Sequence, residues 1–147
     1  MASKNVETFR AAHQAFNRRD FDACLAVLSE NVVYQDNGRN MTIRGREGFR
    51  QFMEGWVIAF SDAEVSDPVY IDGGNTVVAQ FIARGLNDGP FGSLPASGRQ
   101  MQLPMCEVFR FDDNGQMISG SLYYDQLSLL TQLGHIQQPT GASATAR

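Results

Sequence analysis

Residues 100–112 read QMQLPMCEVFRFD, and their alternation decides how the rest of the chain must be arranged. In an extended strand, successive side chains point to opposite faces. Met101, Leu103, Met105, Glu107, Phe109 and Phe111 therefore share one face, and five of these six are apolar. Gln100, Gln102, Pro104, Cys106, Val108, Arg110 and Asp112 form the more polar opposite face. This is the pattern of an antiparallel strand with one side against a core. Glu107 breaks it by pointing a carboxyl group at that core. A bare charge there costs several kcal/mol, so the group must be ion-paired, hydrogen-bonded or kept protonated. A buried carboxyl of this kind can donate and accept protons near neutral pH, which makes Glu107 a candidate general acid/base. A structural ion pair with Arg84 or another arginine fits the same pattern equally well.

Working outward, 116–124, 64–72 and 75–84 also alternate or run apolar, and Gly73-Gly74 and Asn114-Gly115 are hairpin signals between them. On 116–124 the parity places Ile118, Gly120, Leu122 and Tyr124 inward. Ahead of these strands, Val6, Phe9, His13 and Phe16 recur at helical spacing. Asp20 can cap a second helix carrying Phe21, Cys24, Leu25 and Leu28, ended by Ser29, Glu30 and Asn31. A short strand at 32–36 and a loop at 37–45 lead to a third helix with Phe49, Phe52, Met53, Trp56 and Phe60 along one side. Residues 85–98 contain four glycines and two prolines and read as a long loop, of the kind that often serves function. Asp125 then caps a last short helix whose apolar stripe is Leu127, Leu130 and Leu133. The tail 137–147 is small and polar and is expected to be disordered. Helices first and an antiparallel meander afterwards predict an α+β fold, with the helices packed on one face of the sheet.

The 147 residues fit one domain, 1–136, large enough to bury a core without a disulfide or metal. A net charge of −4 with no basic stripe argues against nucleic acid and anionic membrane as partners. The start, MASKNVETFR, has no apolar run behind a basic segment, and a cytoplasmic location is expected. Cys24 and Cys106 belong to no CxxC pair, and His13 and His135 form no local ligand motif. With no HExxH, P-loop or GxGxxG, neither a metal nor a cofactor is expected.

Several further side chains are candidates beside Glu107. His13 lies in the apolar stripe of the first helix, either as a hydrogen-bonded core residue or as a second proton-transfer group. Tyr34 and Asp36 share a strand face that reaches a cavity if it is the concave one, and Asp36 can equally cap the following loop. Tyr124 can offer a phenolic hydroxyl to a substrate. Phe16, Trp56, Met105 and Phe109 are candidates for an apolar wall, though each also reads as plain core.

The stretches LPASGRQM, CEVFRFDDNGQMISG and YYDQLSLLTQLG, in this order of elements, resemble the SnoaL-like polyketide cyclases. That family belongs to the cone-shaped superfamily of nuclear transport factor 2, and the resemblance covers residues 6–134. It implies a curved antiparallel sheet with helices on its concave face. It also implies that Glu107, in EVFR, stands where the family's cyclases carry the acid/base of an intramolecular aldol closure. Where the family often has a histidine, in a GTHxG-like stretch, this chain has Gly85-Leu86-Asn87-Asp88-Gly89, leaving Asn87 to hydrogen-bond a carbonyl. Compared with epoxide hydrolases of the superfamily, which need an Asp/Arg/Asp set, the chain has Leu122 in the final strand. Compared with the steroid isomerases, Asp36 matches the base, but Ala12 and Leu103 replace the oxyanion tyrosine and the protonated aspartate.

The expected activity is a cofactor-independent cyclase or isomerase acting on a hydrophobic polyketide-like or terpenoid-like molecule. Glu107 would transfer the proton, and His13, Tyr34, Asp36, Asn87 and Tyr124 would assist or orient. An epoxide-opening enzyme and a non-catalytic hydrophobic-ligand or partner module are the alternatives. The resemblance further implies a homodimer through the outer sheet face.

Overall fold

The computed structural model describes residues 3–137, so all but the first residue of the tail expected to be disordered lies outside the described residues. Ser3 caps α1 (Lys4–Asn17) by accepting from the Val6 N–H, and Asp20 caps α2 (Phe21–Ala26) through the Ala23 N–H. β1 (Leu28–Asp36) and β2 (Met41–Arg44) follow, then α3 (Gly45–Ala59). β3 (Glu64–Asp72), β4 (Thr76–Leu86), β5 (Gln100–Phe111) and β6 (Met117–Tyr123) form the meander. Asp125 caps α4 (Gln126–Gln132) through the Leu127 and Ser128 N–H groups.

The six strands form one sheet in the order β2-β1-β6-β5-β4-β3. α1 packs against β3 and β4, α3 against β1 and β2, and α2 against both of these helices. The architecture is thus α+β, with the apolar stripes of the helices and the inner face of the sheet sharing one core. On β5 the alternation holds throughout: Met101, Leu103, Met105, Glu107, Phe109 and Phe111 are all buried. Among the described residues no helix is long and apolar enough to cross a membrane.

Several local expectations are corrected. β2 lies inside the stretch read as a loop, because four residues are too few to show a period. The sheet is mixed rather than wholly antiparallel: β1 runs parallel to β6. Alternation reports which face a residue takes and says nothing of strand direction, and hairpin signals exist only for neighbours in sequence. α2 ends two residues before Leu28, which instead opens β1 beside Met117. A register shift between Arg110 and Phe111 places Met117 opposite Phe111, so Met117 turns inward in place of Ile118. In α4 the buried position is Leu129, with Leu133 buried at the C-cap, whereas Leu127 is exposed. The 87–99 loop does not hang free. Asn87 Nδ2 donates to the Ala59 and Gly89 carbonyls, its Oδ1 accepts from the Ser97 N–H, and Phe91 packs on Trp56.

Candidate active site

Glu107 stands at the middle of the inner face, between Ala79 on β4 and Leu122 on β6. Neither neighbour has a polar side chain, so its partners come from farther away. His13, projecting from the buried stripe of α1, places Nε2 2.7 Å from Oε1 of Glu107. Tyr34, on β1, donates its hydroxyl to Oε2. Gly120, in the row joining Tyr34 to Phe109, makes room for this: a Cβ there would lie 2.5 Å from the Phe109 ring. His13 Nδ1 in turn lies 2.7 Å from the hydroxyl of Tyr70 on β3. The result is a continuous chain, Tyr70–His13–Glu107–Tyr34, drawn from α1, β1, β3 and β5. Arg84, the expected alternative partner of Glu107, instead donates to Ser66 Oγ and pairs with Asp67.

The chain has an internally consistent polarity. An ionised Glu107 requires a hydrogen on Nε2 of His13, and in the neutral imidazole Nδ1 is then the acceptor for the Tyr70 O–H. Tyr34 stays protonated because complete burial, and then the adjacent charge of Glu107, push its phenol well above the usual range near 10. Burial likewise pushes Tyr70 up to about 12, against a smaller opposing effect of Arg10, whose guanidinium stacks over its ring at 4.7 Å. Each oxygen of Glu107 keeps one lone pair beyond the hydrogen bond it already accepts.

This chain borders a cavity of about 110 Å³. Glu107, His13 and Tyr34 line it together with Phe9, Phe16, Phe49, Phe52, Trp56, Phe81, Phe109 and the methionines 53, 101, 105 and 117. Glu64 and Arg84, exposed and half-buried, stand at its solvent side. Cys24 also faces it, but burial and then Asp20 push its thiol up to about 11, and it donates to the Ala12 carbonyl, so it is no thiolate nucleophile. Among the described residues no three His, Cys, Asp or Glu side chains gather as metal ligands.

The sequence matches the family model of the SnoaL-like polyketide cyclases over residues 6–133. The chain belongs to that family. A solved structure of a candidate polyketide cyclase from Xanthomonas campestris is 28% identical, over 88% of this chain and 96% of that one, with a TM-score of 0.78. A candidate SnoaL-like polyketide cyclase from Jannaschia sp. is 25% identical over 95% and 99%, with a TM-score of 0.82. A protein from Catenulispora acidiphila with a ketosteroid isomerase-like fold, solved with trimethylamine, is 19% identical over 90% and 98%, with a TM-score of 0.76, and shares the fold. No curated protein matches the sequence.

In this SnoaL-like chain the remaining candidates fall outside the cavity wall. Asp36 is fully buried, and its oxygens are taken up: Oδ1 accepts from the Gly38 and Arg39 N–H groups, and Oδ2 from Arg39 Nε and the Tyr124 hydroxyl. The expectation that Asp36 reaches the cavity as a base is therefore corrected to a turn lock. Its cap-like hydrogen bonds to 38 and 39 are the alternative that its Asp-Asn-Gly context allowed. Tyr124 is committed to Asp36 and packs edge-on against Trp56. Asn87 is committed to its loop, as described above. Tyr70 is the partner the sequence reading missed. It lies in a strand holding Asp67, Pro68 and Asp72, whose alternation is too weak to mark an inward face.

Proposed function

We propose that this protein is a cofactor-independent cyclase or isomerase in which Glu107 is the general acid/base, acting on a hydrophobic substrate held in the cavity. The observation that carries the reading is a carboxylate in a cavity lined mainly by aromatic and methionine side chains, oriented at both oxygens by His13 and Tyr34. In the forward step Glu107 takes a proton from carbon next to a substrate carbonyl, giving an enolate and a neutral carboxyl group. In a cyclase the enolate carbon attacks a second carbonyl, and the proton on Glu107 goes to the resulting alkoxide. In an isomerase the same proton returns to a different carbon. Both sequences balance without an oxidant or metal. His13, able to accept or donate through Nε2 while Tyr70 partners Nδ1 in either state, steadies the carboxyl as its charge changes.

The test is exchange of α-hydrogens of a panel of apolar ketones in deuterium oxide, followed by NMR. Removal of a positioned general base lowers the rate by about 10²–10⁴-fold, so Glu107→Gln should reduce exchange at least hundredfold with the fold retained. Exchange equal in the two proteins rules the role out.

A second reading, a binding module without turnover, is favoured by the same two hydrogen bonds, which satisfy the carboxylate as a structural group would be satisfied. Ligand binding with no exchange for any ketone supports it. We also propose a homodimer through the outer sheet face, where Val69, Gln80, Cys106 and Tyr123 form one row across four strands and Val69 and Tyr123 are half or more exposed. Light scattering on a sizing column decides it, a monomer mass being the contrary result.

A further inference from the structure

We propose that His13 is a tautomer switch and Tyr70 the outer end of a proton relay, by which Glu107 takes up and returns a proton through a residue outside the cavity wall. The use of that proton in turnover rests on reading Glu107 as the acid/base, whereas the relay itself does not.

Glu107, His13 and Tyr34 all line the cavity, and Tyr70 does not. Tyr70 stands instead on β3, the edge strand of the sheet, half-buried where α1 packs on that strand. Arg10 stacks over its ring and is paired in turn with the exposed Glu7. The hydrogen-bonded chain therefore leaves the cavity through His13 and runs toward the edge of the sheet. Its two outer links are each 2.7 Å long, a length that suits a donor on either side. An imidazole takes a hydrogen on one nitrogen while releasing one from the other, and a phenol receives and gives hydrogen at a single oxygen. Burial pushes the Tyr70 phenol up to about 12, so it relays as a neutral hydroxyl.

In the step that charges the relay, hydronium gives a proton to the Tyr70 oxygen as the hydroxyl hydrogen passes to Nδ1 of His13. The hydrogen on Nε2 passes to Oε1 of Glu107. One bond to hydrogen forms and one breaks at each link, and the net change is one proton gained by the carboxylate. The ring hydrogen has moved from Nε2 to Nδ1. Nε2 then accepts from the Glu107 O–H, Tyr70 accepts from the Nδ1–H, and the same moves in reverse return the proton to water.

Of the other elements around the His13 ring, β4 contributes Phe81, at 5.1 Å between ring centroids. From α2, Cys24 lies on the same cavity wall with its thiol kept protonated. Tyr34 of β1 acts through Oε2 of Glu107 and stays protonated. Glu107 and Tyr70 are thus the two groups that trade hydrogens with the ring. In a cyclase this decides which substrates are usable. A 1,3-dicarbonyl that arrives as its enolate brings no proton, yet ring closure leaves an alkoxide that needs one. The enolate would also face a like charge on an ionised Glu107. A proton delivered through Tyr70 removes that repulsion and supplies the alkoxide.

The probe is the free protein, labelled with ¹⁵N at histidine and ¹³C at the glutamate carboxyl, with no ligand added. The Glu107 carboxyl signal is identified by its absence from Glu107→Gln, and His135 is the internal control. As the pH falls and Glu107 takes its proton, Nε2 of His13 is expected to change from N–H to bare nitrogen and Nδ1 to change the opposite way. Tyr70→Phe keeps the ring, with its contact to Phe9 at 5.6 Å and its place under Arg10. In that variant, exchange of the His13 ring hydrogen with water, read by saturation transfer, is expected to slow by about tenfold or more, the factor one lost hydrogen bond carries, with His135 unchanged. The proposal is overturned if the hydrogen stays on Nε2 while Glu107 protonates, if both nitrogens hold hydrogen together, if Glu107 stays ionised until acid unfolds the protein, or if a folded Tyr70→Phe exchanges as fast as wild type. The wild-type titration decides even where the variant fails to fold. A Glu107 inert toward ketones leaves the relay standing, and a ring that never switches leaves Glu107 to trade protons with substrate directly.

Discussion

Replacing Tyr34 by Phe isolates the hydrogen bond that orients Oε2 of Glu107. The ring contacts of Tyr34 with Phe49, Phe52 and Phe109, at centroid distances of 5.0, 5.1 and 5.5 Å, survive the change. The loss is therefore one buried hydrogen bond to a charged acceptor, about 1.5–3 kcal/mol. For a domain near 150 residues that lowers the melting temperature by about 3–12 °C. Alkali supplies an internal control. The unfolded phenol ionises near pH 10, whereas in the folded protein burial and the charge of Glu107 keep Tyr34 protonated well above it. Folding then holds one extra proton, so the contribution of Tyr34 is complete below pH 10 and is lost as the pH rises past it. Wild-type protein should lose about 1.4 kcal/mol per pH unit from this group above pH 10, a loss that Tyr34→Phe cannot show. In urea denaturation the variant should be about 1.5–3 kcal/mol weaker at pH 7, with the gap narrowed by about 1.4 kcal/mol at pH 11. A deficit under about 0.5 kcal/mol at pH 7, or a gap unchanged at pH 11, would refute the buried Tyr34–Glu107 contact.

Asp36→Ala strips Arg39 and Tyr124 of their shared acceptor and should destabilise by about 3–5 kcal/mol, while the folded fraction keeps its α-hydrogen exchange; lost exchange at full stability would return Asp36 to the catalytic set. Gly120→Ala drives a methyl group into the Phe109 ring and should cost about 1–3 kcal/mol, measured by thermal unfolding, with a neutral result contradicting the close packing that lets Tyr34 cross to Glu107. Tyr70→Phe removes only the hydroxyl on Nδ1 of His13 and should cost about 0.5–1.5 kcal/mol. In ¹⁵N-histidine spectra of that variant the Nδ1 signal of His13 should move and His135 should not; an unmoved Nδ1 means the Tyr70–His13 bond is not formed in solution.

What was legible in the sequence followed from periodicity, and what was not depended on contacts between distant segments. β5 was readable residue by residue because its alternation is strict, and the same alternation exposed Glu107 as the exception. The stripe of α1 placed His13 inward without saying what it would meet 94 positions later. The pairing of β1 with β6 has no local signal, and through it Tyr34 reaches the row beside Glu107. Asp36 and Tyr124 lie close to the same rows, and only their mutual hydrogen bond, with Arg39, takes them out of the cavity. Asn87 was singled out only because it stands where the resemblance places a histidine, and its side chain makes three hydrogen bonds that hold the 87–99 loop to the end of α3.

The four-residue chain also bears on why a carboxylate is buried here at all. Taking an ionisable pair out of water is expensive, and well-packed apolar replacements of a complete buried pair are often neutral or stabilising by about 1–4 kcal/mol. Removing one member alone leaves the others without partners, at about 1–3 kcal/mol each. The two kinds of variant therefore separate a group kept for chemistry from one kept for architecture. His13→Leu, Glu107→Met, Tyr34→Phe and Tyr70→Phe combined remove every polar atom of the chain together, leaving no orphan among them. If the chain serves proton transfer, the combined variant should match or exceed wild-type stability in urea and lose α-hydrogen exchange entirely. If it serves as a structural tie, the combined variant should be weaker by more than about 2 kcal/mol, and the binding-module reading gains the ground that Glu107 as a base gives up.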